Sequence, residues 1–225
     1  MQILKVTNLS KTYGKGSNQI KAVDNVSFTV QSGEFIAITG PSGSGKSTLL
    51  HLLGGVDTPS TGQIILDNQN LLALKGDKKT NFVRQNIGFI FQFYNLIPVL
   101  TVKENILLPA ALAGCKIDSA YLNSLIETLG LKNHLNHLPN ELSGGQQQRT
   151  AIGRALINNP KIIFADEPTG NLDSRNRRQV INLLKYYNEI HGQTIIMVTH
   201  DHDLAQEATR IIHYEDGKIV GDDLN

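Results

Sequence analysis

Apolar residues fall into short runs separated by polar, glycine-bearing stretches, and the length and period of each run predict its element. Residues 2–6 and 26–30 combine β-branched side chains with partial alternation, which predicts two strands; the polar stretch 11–19 between them reads as a turn or loop. The wholly apolar run 35–38 has the pattern of a short buried strand, and 46–53 is an apolar helical stretch. Residues 62–66 and 87–90 predict two more strands, with a Lys-rich, solvated segment around 76–79 between them. From 93 to 140 the strand signals give way to helical patterns at 102–113 and 120–129, punctuated by Pro98, Pro109 and Pro139. This part reads as a mostly helical insertion rather than an independently folded domain. Strand patterns resume at 161–166 and 194–199 around a helical segment from about 177 to 191, a βαβ arrangement with a parallel sheet. A hairpin closes the pattern, with 211–214 and 218–220 flanking Glu215-Asp216-Gly217. The fold class is α/β, without internal repeats.

Composition narrows the function more than the fold. In 225 residues, 40% are apolar and 18% charged, and the formal net charge is +1, which argues against disorder and against a basic surface built for nucleic acid. The single cysteine, Cys115, rules out an intramolecular disulfide and suits a reducing cytoplasm; a packed thiol is expected. The first residues lack a signal-peptide pattern, and no run reaches the ~20 apolar residues of a membrane span, so the chain is expected not to cross a bilayer alone.

The candidate chemistry centres on Gly40-Pro41-Ser42-Gly43-Ser44-Gly45-Lys46-Ser47-Thr48, which fits the P-loop pattern G-x-x-x-x-G-K-[ST] between a strand and a helix. Its glycines let the backbone curl around an anion, and the unpaired amides of the following helix favour polyphosphate over a neutral ligand. Lys46 is placed to reach the β- and γ-phosphates and Ser47 to ligate Mg²⁺. The strand 161–166 ends in Asp166 and Glu167, and an open parallel sheet gathers its ligands at the carboxyl ends of its strands. Alternation along the strand is expected to divide the pair: Asp166 holds Mg²⁺, while Glu167 orients and deprotonates the attacking water. Gln92 and His200 follow strands and suit a phosphate oxygen, the metal or that water; singly, each is as readily a satisfied cap. Leu142-Ser143-Gly144-Gly145-Gln146 is a second glycine-flanked helix start, suited to an anion or to an ordinary Ser N-cap. Tyr13 offers a face to a purine or a simple packing contact. His200-Asp201-His202-Asp203 has the composition of a metal cluster, but strand alternation would split its ligands, so zinc is set aside; His134 and His137 read as surface polarity.

Taken in order, these motifs resemble those of the ATP-binding-cassette ATPases over nearly the whole chain. Gly40 to Thr48 matches the Walker A loop, Gln92 the Q-loop, and Leu142-Ser143-Gly144-Gly145-Gln146 the family signature. Ile162-Ile163-Phe164-Ala165-Asp166-Glu167 matches the Walker B strand and catalytic glutamate, Asn171-Leu172-Asp173 the D-loop, His200 the switch histidine and Tyr13 the aromatic that stacks on adenine. The resemblance implies a P-loop NTPase (RecA-like) core with an antiparallel β subdomain and an inserted α-helical subdomain. One domain would span 1–225, with its helical part at approximately 93–150. It also implies ATP and Mg²⁺ as cofactors: Ser47, Gln92 and Asp166 toward the metal, and Tyr13, the loop from Gly40 to Thr48, Ser143, Gly144, Gly145, Gln146 and Asp173 toward the nucleotide. Catalysis would fall to Glu167, His200 and Gln92. Two cassettes of the family pair head to tail, so a homodimer is implied, with a membrane permease docking on 93–101 at the cytoplasmic face of the membrane.

Within the superfamily the likeness is to bacterial macrolide-export, lipoprotein-release and bacitracin-type peptide-resistance ATPases. Phe91-Gln92-Phe93-Tyr94-Asn95-Leu96-Ile97-Pro98, Glu104-Asn105-Ile106 and Asn140-Glu141 carry it. A cell-division cassette shares nearly every motif. Soluble cassettes acting on DNA or ribosomes are the alternative outside transport. Only 50 positions separate Gln92 from Leu142, too few for the coiled coil of the DNA-repair relatives, and there is one Walker A where ribosome-acting relatives have two. Gly153 stands where relatives more often have alanine, and at about 1 kcal/mol for glycine inside a helix it is expected to loosen the signature helix slightly.

Overall fold

A computed structural model describes residues 1–14 and 19–225. Two long strands come first, β1 (Gln2–Tyr13) and β2 (Ile20–Gln31), followed by β3 (Phe35–Thr39), α1 (Lys46–Leu53), β4 (Thr61–Leu66), β5 (Gln69–Asn70), α2 (Gly76–Asn86) and β6 (Ile87–Ile90). Three helices, α3 (Val102–Ala113), α4 (Ser119–Thr128) and α5 (Gly144–Leu156), separate β6 from β7 (Ile162–Asp166). The chain continues through α6 (Ser174–His191), β8 (Thr194–Val198), the short α7 (His202–Ala205) and the hairpin β9 (Arg210–Glu215) and β10 (Lys218–Leu224). A four-stranded antiparallel sheet has the order β2-β1-β4-β5, and a six-stranded sheet the order β10-β9-β3-β8-β7-β6. In the larger sheet β9, β3, β8, β7 and β6 run parallel, with β10 antiparallel at one edge.

Every residue of β3, β7 and β8 is buried, as a parallel strand covered on both faces requires. Alternation then sorts their side chains between two apolar clusters. Phe35, Ala37, Ile163, Ala165, Ile195 and Met197 pack with Ile106, Leu125, Ile152 and Leu184 from the helices α3 to α6. Ile36, Ile38, Ile162, Phe164, Ile196 and Val198 pack on the other face with Leu49, Leu50 and Leu53 of α1 and with Leu4, Val6, Val30 and Ile64 of the antiparallel sheet. The parallel sheet is thus a middle layer. Its strands β3, β6, β7 and β8 end at a common edge, and the loops that leave that edge carry the P-loop, Gln92, Glu167 and His200.

Three local expectations change. Lys11, Thr12 and Tyr13 continue β1, because the pairings Lys11↔Val23, Thr12↔Lys21 and Tyr13↔Ile20 satisfy backbone groups irrespective of polar side chains. The expected loop otherwise includes residues 15–18, which lie outside the described residues. The Lys-rich stretch opens the helix α2, which has no buried residue and is held by Phe82 and Val83 against the second cluster. Pro109 lies inside α3, whose bounds are those of the expected helical pattern, and Val102, Ile106 and Ala110 anchor the helix on both sides of it. Cys115 is exposed rather than packed. Among the described residues, no helix is long and apolar enough to cross a membrane.

Candidate functional site

The loop after β3 is wrapped tightly against the rest of the fold. Gly40 and Gly45 have φ of +148° and +101°, and a Cβ on either would collide with the carbonyl of Tyr214 or Ala22. Backbone that close admits only glycine. The helix α1 begins at Gly45 without a side-chain cap or an acid in its first turn, so its first amides are left for an anion. Lys46, only 7% exposed, donates from Nζ to Pro41 O at 2.6 Å and Gly40 O at 2.9 Å. Burial lowers its pKa, countered by the charges of Glu167 and Asp166.

Ser47, in the first turn of α1, donates from Oγ to Asp166 Oδ1 at 2.9 Å. This places a hydroxyl and a carboxylate, both hard oxygen donors, side by side beneath the loop, a donor set that suits Mg²⁺. Strand alternation does not divide Asp166 from Glu167: β7 ends at Asp166, and Glu167 takes a left-handed φ of +46° while its N–H bonds Val198 O at 3.0 Å. The turn aims the Glu167 side chain at the cavity, where Oε1 accepts from His200 Nδ1–H at 2.9 Å. A cavity of about 680 Å³ is lined by Tyr13, Ser42, Gly43, Ser44, Gly45, Lys46, Ser47, Thr48, Gln92, Glu167 and His200 from the predicted set, joined by Ile20, Lys21, Ala22, Val198, Asp216 and Gly217. The Gln92 backbone carbonyl accepts from Asn171 Nδ2 at 3.0 Å, which ties the segment after β6 to the turn after Glu167.

The remaining predicted residues lie elsewhere. Gly40 and Pro41 line a neighbouring recess with His213 and Tyr214. Ser143 caps α5 in a reciprocal box: its Oγ accepts Gln146 N–H at 3.4 Å and its own N–H donates to Gln146 Oε1 at 2.8 Å. Neither Ser143, Gly144, Gly145 and Gln146 nor Asp173 lines the cavity. Asp173 caps α6, accepting Asn176 N–H at 2.8 Å, and these hydrogen bonds hold its carboxyl below the usual range. Buried Gln148 links the two regions by donating to Pro168 O at 2.6 Å, next to Glu167.

Several contacts lay outside the sequence reasoning. His51 Nε2 is buried, without a hydrogen-bond partner among the described residues, and lies 3.5 Å from Asp166 Oδ2. Its i+4 spacing from Ser47 on α1 was the available signal. Asp57 accepts the Tyr13 hydroxyl at 2.7 Å, and nothing in the motif announces it. His134 and His137 touch through Nδ1 atoms 3.1 Å apart, and His134 Nε2 meets the Gln146 side-chain amide at 3.0 Å, so this pair borders the signature rather than standing free on the surface. Asp201, from the apparent metal cluster, instead caps α7 and pairs with Arg177 at 2.8 Å.

The ABC transporter family model matches residues 23–170. The chain is 42% identical over 222 residues to the lipoprotein-releasing system ATP-binding protein LolD of Syntrophotalea carbinolica, covering 97% of each. It is 45% identical to the uncharacterized ABC transporter ATP-binding protein MJ0796 of Methanocaldococcus jannaschii over 96% of this chain and 95% of that one. The macrolide export ATP-binding/permease protein MacB of Hyphomonas neptunium is 43% identical over 99% of this chain, which spans 35% of that longer protein. Two solved dimers of the MJ0796 cassette superpose with a TM-score of 0.90, covering 99% of this chain and 98% of theirs, at 42% and 43% identity; the former is a post-hydrolysis state bound to ADP and Pi. The phosphate loop, the acids facing it and these likenesses agree: the chain belongs to the ABC transporter family, as an ATP-binding and ATP-hydrolysing cassette.

Proposed function

We propose that this chain binds Mg²⁺-ATP between Tyr13 and the P-loop and hydrolyses it to drive a separate membrane permease of the export, lipoprotein-release or peptide-resistance type. The observation that carries this reading is the Glu167 carboxylate, turned into the mouth of the phosphate cavity and held at 2.9 Å by His200. That is where a base must stand to take a proton from water attacking the γ-phosphate. Lys46 and the α1 amides would bind the phosphates, Ser47 and Asp166, with Gln92 from the cavity wall, would hold Mg²⁺, and His200 would position Glu167. Bound there, Mg²⁺ would supply neutralisation of phosphate charge.

The signature supports a second copy as partner. Ser143, Gly144, Gly145 and Gln146 form an anion-compatible helix start outside the cavity of their own chain, so head-to-tail pairing would close each nucleotide beneath the other copy's signature. ATP then binds the closed pair better than the separate halves, and hydrolysis reverses the preference. Phe93 and Val99, 71% and 79% exposed on the segment after Gln92, offer the apolar surface on which a permease helix would dock at the cytoplasmic face of the membrane.

Affinity purification from detergent-solubilised membranes of the native host, followed by mass spectrometry, tests the partner. Recovery of a permease supports the transport reading, and its architecture separates export, lipoprotein release, peptide resistance and division. Recovery of only soluble proteins or ribosomes, under conditions that preserve membrane complexes, removes it.

A further inference from the structure

The nucleobase end of the cavity rests on a side-chain cluster outside every motif. Asp57 accepts the Tyr13 hydroxyl on Oδ2 at 2.7 Å and Lys11 Nζ on Oδ1 at 2.8 Å. Lys11 also donates to Thr58 O at 2.6 Å and lies 4.9 Å from the centroid of the Tyr13 ring. For a lysine its side chain is well covered, at 13% exposure. Both Asp57 oxygens are therefore occupied, and the tyrosine is held at its tip and over one face. The backbone of Asp57 is fastened in turn: its N–H donates to the carbonyl of His51 on α1, at 3.2 Å.

A tethered ring loses little freedom when a base settles on it, and an ordered platform binds more tightly than one that must be ordered first. The ammonium occupies one face by a cation–π contact. Tyr13 lines the cavity with Ile20 and Ala22 while Lys11 does not, so the opposite face is the one left to a ligand. Asp57 thus ties the Tyr13 ring to α1, the helix that follows the phosphate loop.

We propose that Asp57 and Lys11 are positioning residues for the nucleobase, locking the Tyr13 ring to α1 with a single face open to the purine of the bound nucleoside triphosphate. The inference rests on the reading of this cavity as an ATP site with Tyr13 beneath the base. Lys11 is also the largest cause of the low Asp57 pKa, about 2, which keeps the carboxylate ionised in its clasp at any physiological pH.

Calorimetric titration tests it, with ATP and inorganic tripolyphosphate as ligands and Glu167→Gln as the parent to prevent turnover. Asp57→Ala and Lys11→Met are expected to weaken ATP by roughly five- to tenfold, a part of what base stacking contributes, and to leave tripolyphosphate unchanged. Asp57→Asn keeps an acceptor for the Tyr13 hydroxyl and loses less than Asp57→Ala. With Glu167 restored, both weakening variants raise KM for ATP and preserve kcat. Unchanged ATP affinity in Asp57→Ala and Lys11→Met, beside a weakened Tyr13→Ala, overturns the positioning role and leaves the base platform standing. Unchanged affinity in Tyr13→Ala overturns the platform itself. Equal losses for ATP and tripolyphosphate also overturn the proposal, because the effect then travels through the phosphate loop. Lys11→Met, which leaves the Asp57 loop intact, keeps the test valid if Asp57→Ala fails to fold.

Discussion

Ser47 and Asp166 stand 119 positions apart in the chain and share a hydrogen bond of 2.9 Å. The first turn of α1 meets the carboxyl end of β7 there, and the two oxygens converge on one point beneath the phosphate loop. Ser47→Ala and Asp166→Asn are each expected to weaken Mg²⁺ by about tenfold or more, in the range seen when the support of a metal site is removed. Mn²⁺ titration of the nucleotide-loaded protein by electron paramagnetic resonance reads this without turnover. An unchanged Mn²⁺ affinity in both variants removes the pair from the metal site.

Glu167→Gln keeps the shape of the side chain and removes its basicity. ATP binding should persist, turnover should fall by at least ~10²-fold, and an ATP-bound dimer should accumulate in size-exclusion chromatography. Full retained activity would take Glu167 out of the catalytic role.

Ser143→Arg places a long cation where a second copy would close over the nucleotide. It also removes the α5 cap, which costs about 1 kcal/mol, too little to unfold the chain. ATP affinity of the monomer should stay near that of the parent while ATP-induced dimerisation is lost; undiminished dimerisation contradicts the composite site.

Gly153 reverses an expectation. Helix propensity alone favours alanine there by about 1 kcal/mol, but a Cβ would stand 2.7 Å from Leu129 Cδ1 and 3.1 Å from Ile106 Cγ1. Both partners are buried, and overpacking costs about 1–3 kcal/mol. Gly153→Ala is therefore expected to lower stability by about 1 kcal/mol in urea unfolding, and a rise in stability would show that Leu129 moves aside freely.

The Asp57 carboxyl is lowered from 3.8 to about 2 in the folded chain, first by its hydrogen bond from Lys11. A carboxyl depressed by folding contributes stability above its unfolded value and loses it as pH falls toward its folded value. The stability gap between the wild type and Asp57→Asn should thus be flat above about pH 5 and narrow below about pH 4. A gap that widens on acidification would reverse the assignment.

How much of this was legible follows from the range of each interaction. The apolar runs of β3, β7 and β8 and the spacing of the P-loop could be read directly, because burial on both faces and a phosphate cradle each dictate residue types within a few neighbouring positions. The helix α2 was not legible, since its polar residues show no period and its hold on the fold comes from Phe82 and Val83 packing against a distant cluster.

By itself, then, the sequence determined most of the elements, the phosphate loop and the identities of the acids, because those depend on backbone sterics, period and nearest neighbours. Tertiary structure decided which side chains meet. It turned Glu167 out of its strand toward His200, set Ser47 against Asp166, clasped Tyr13 with Asp57 and Lys11, and kept Ser143 away from its own chain's cavity. The distances between those groups arise from sheet order and layer packing, which bring together residues that no local pattern relates.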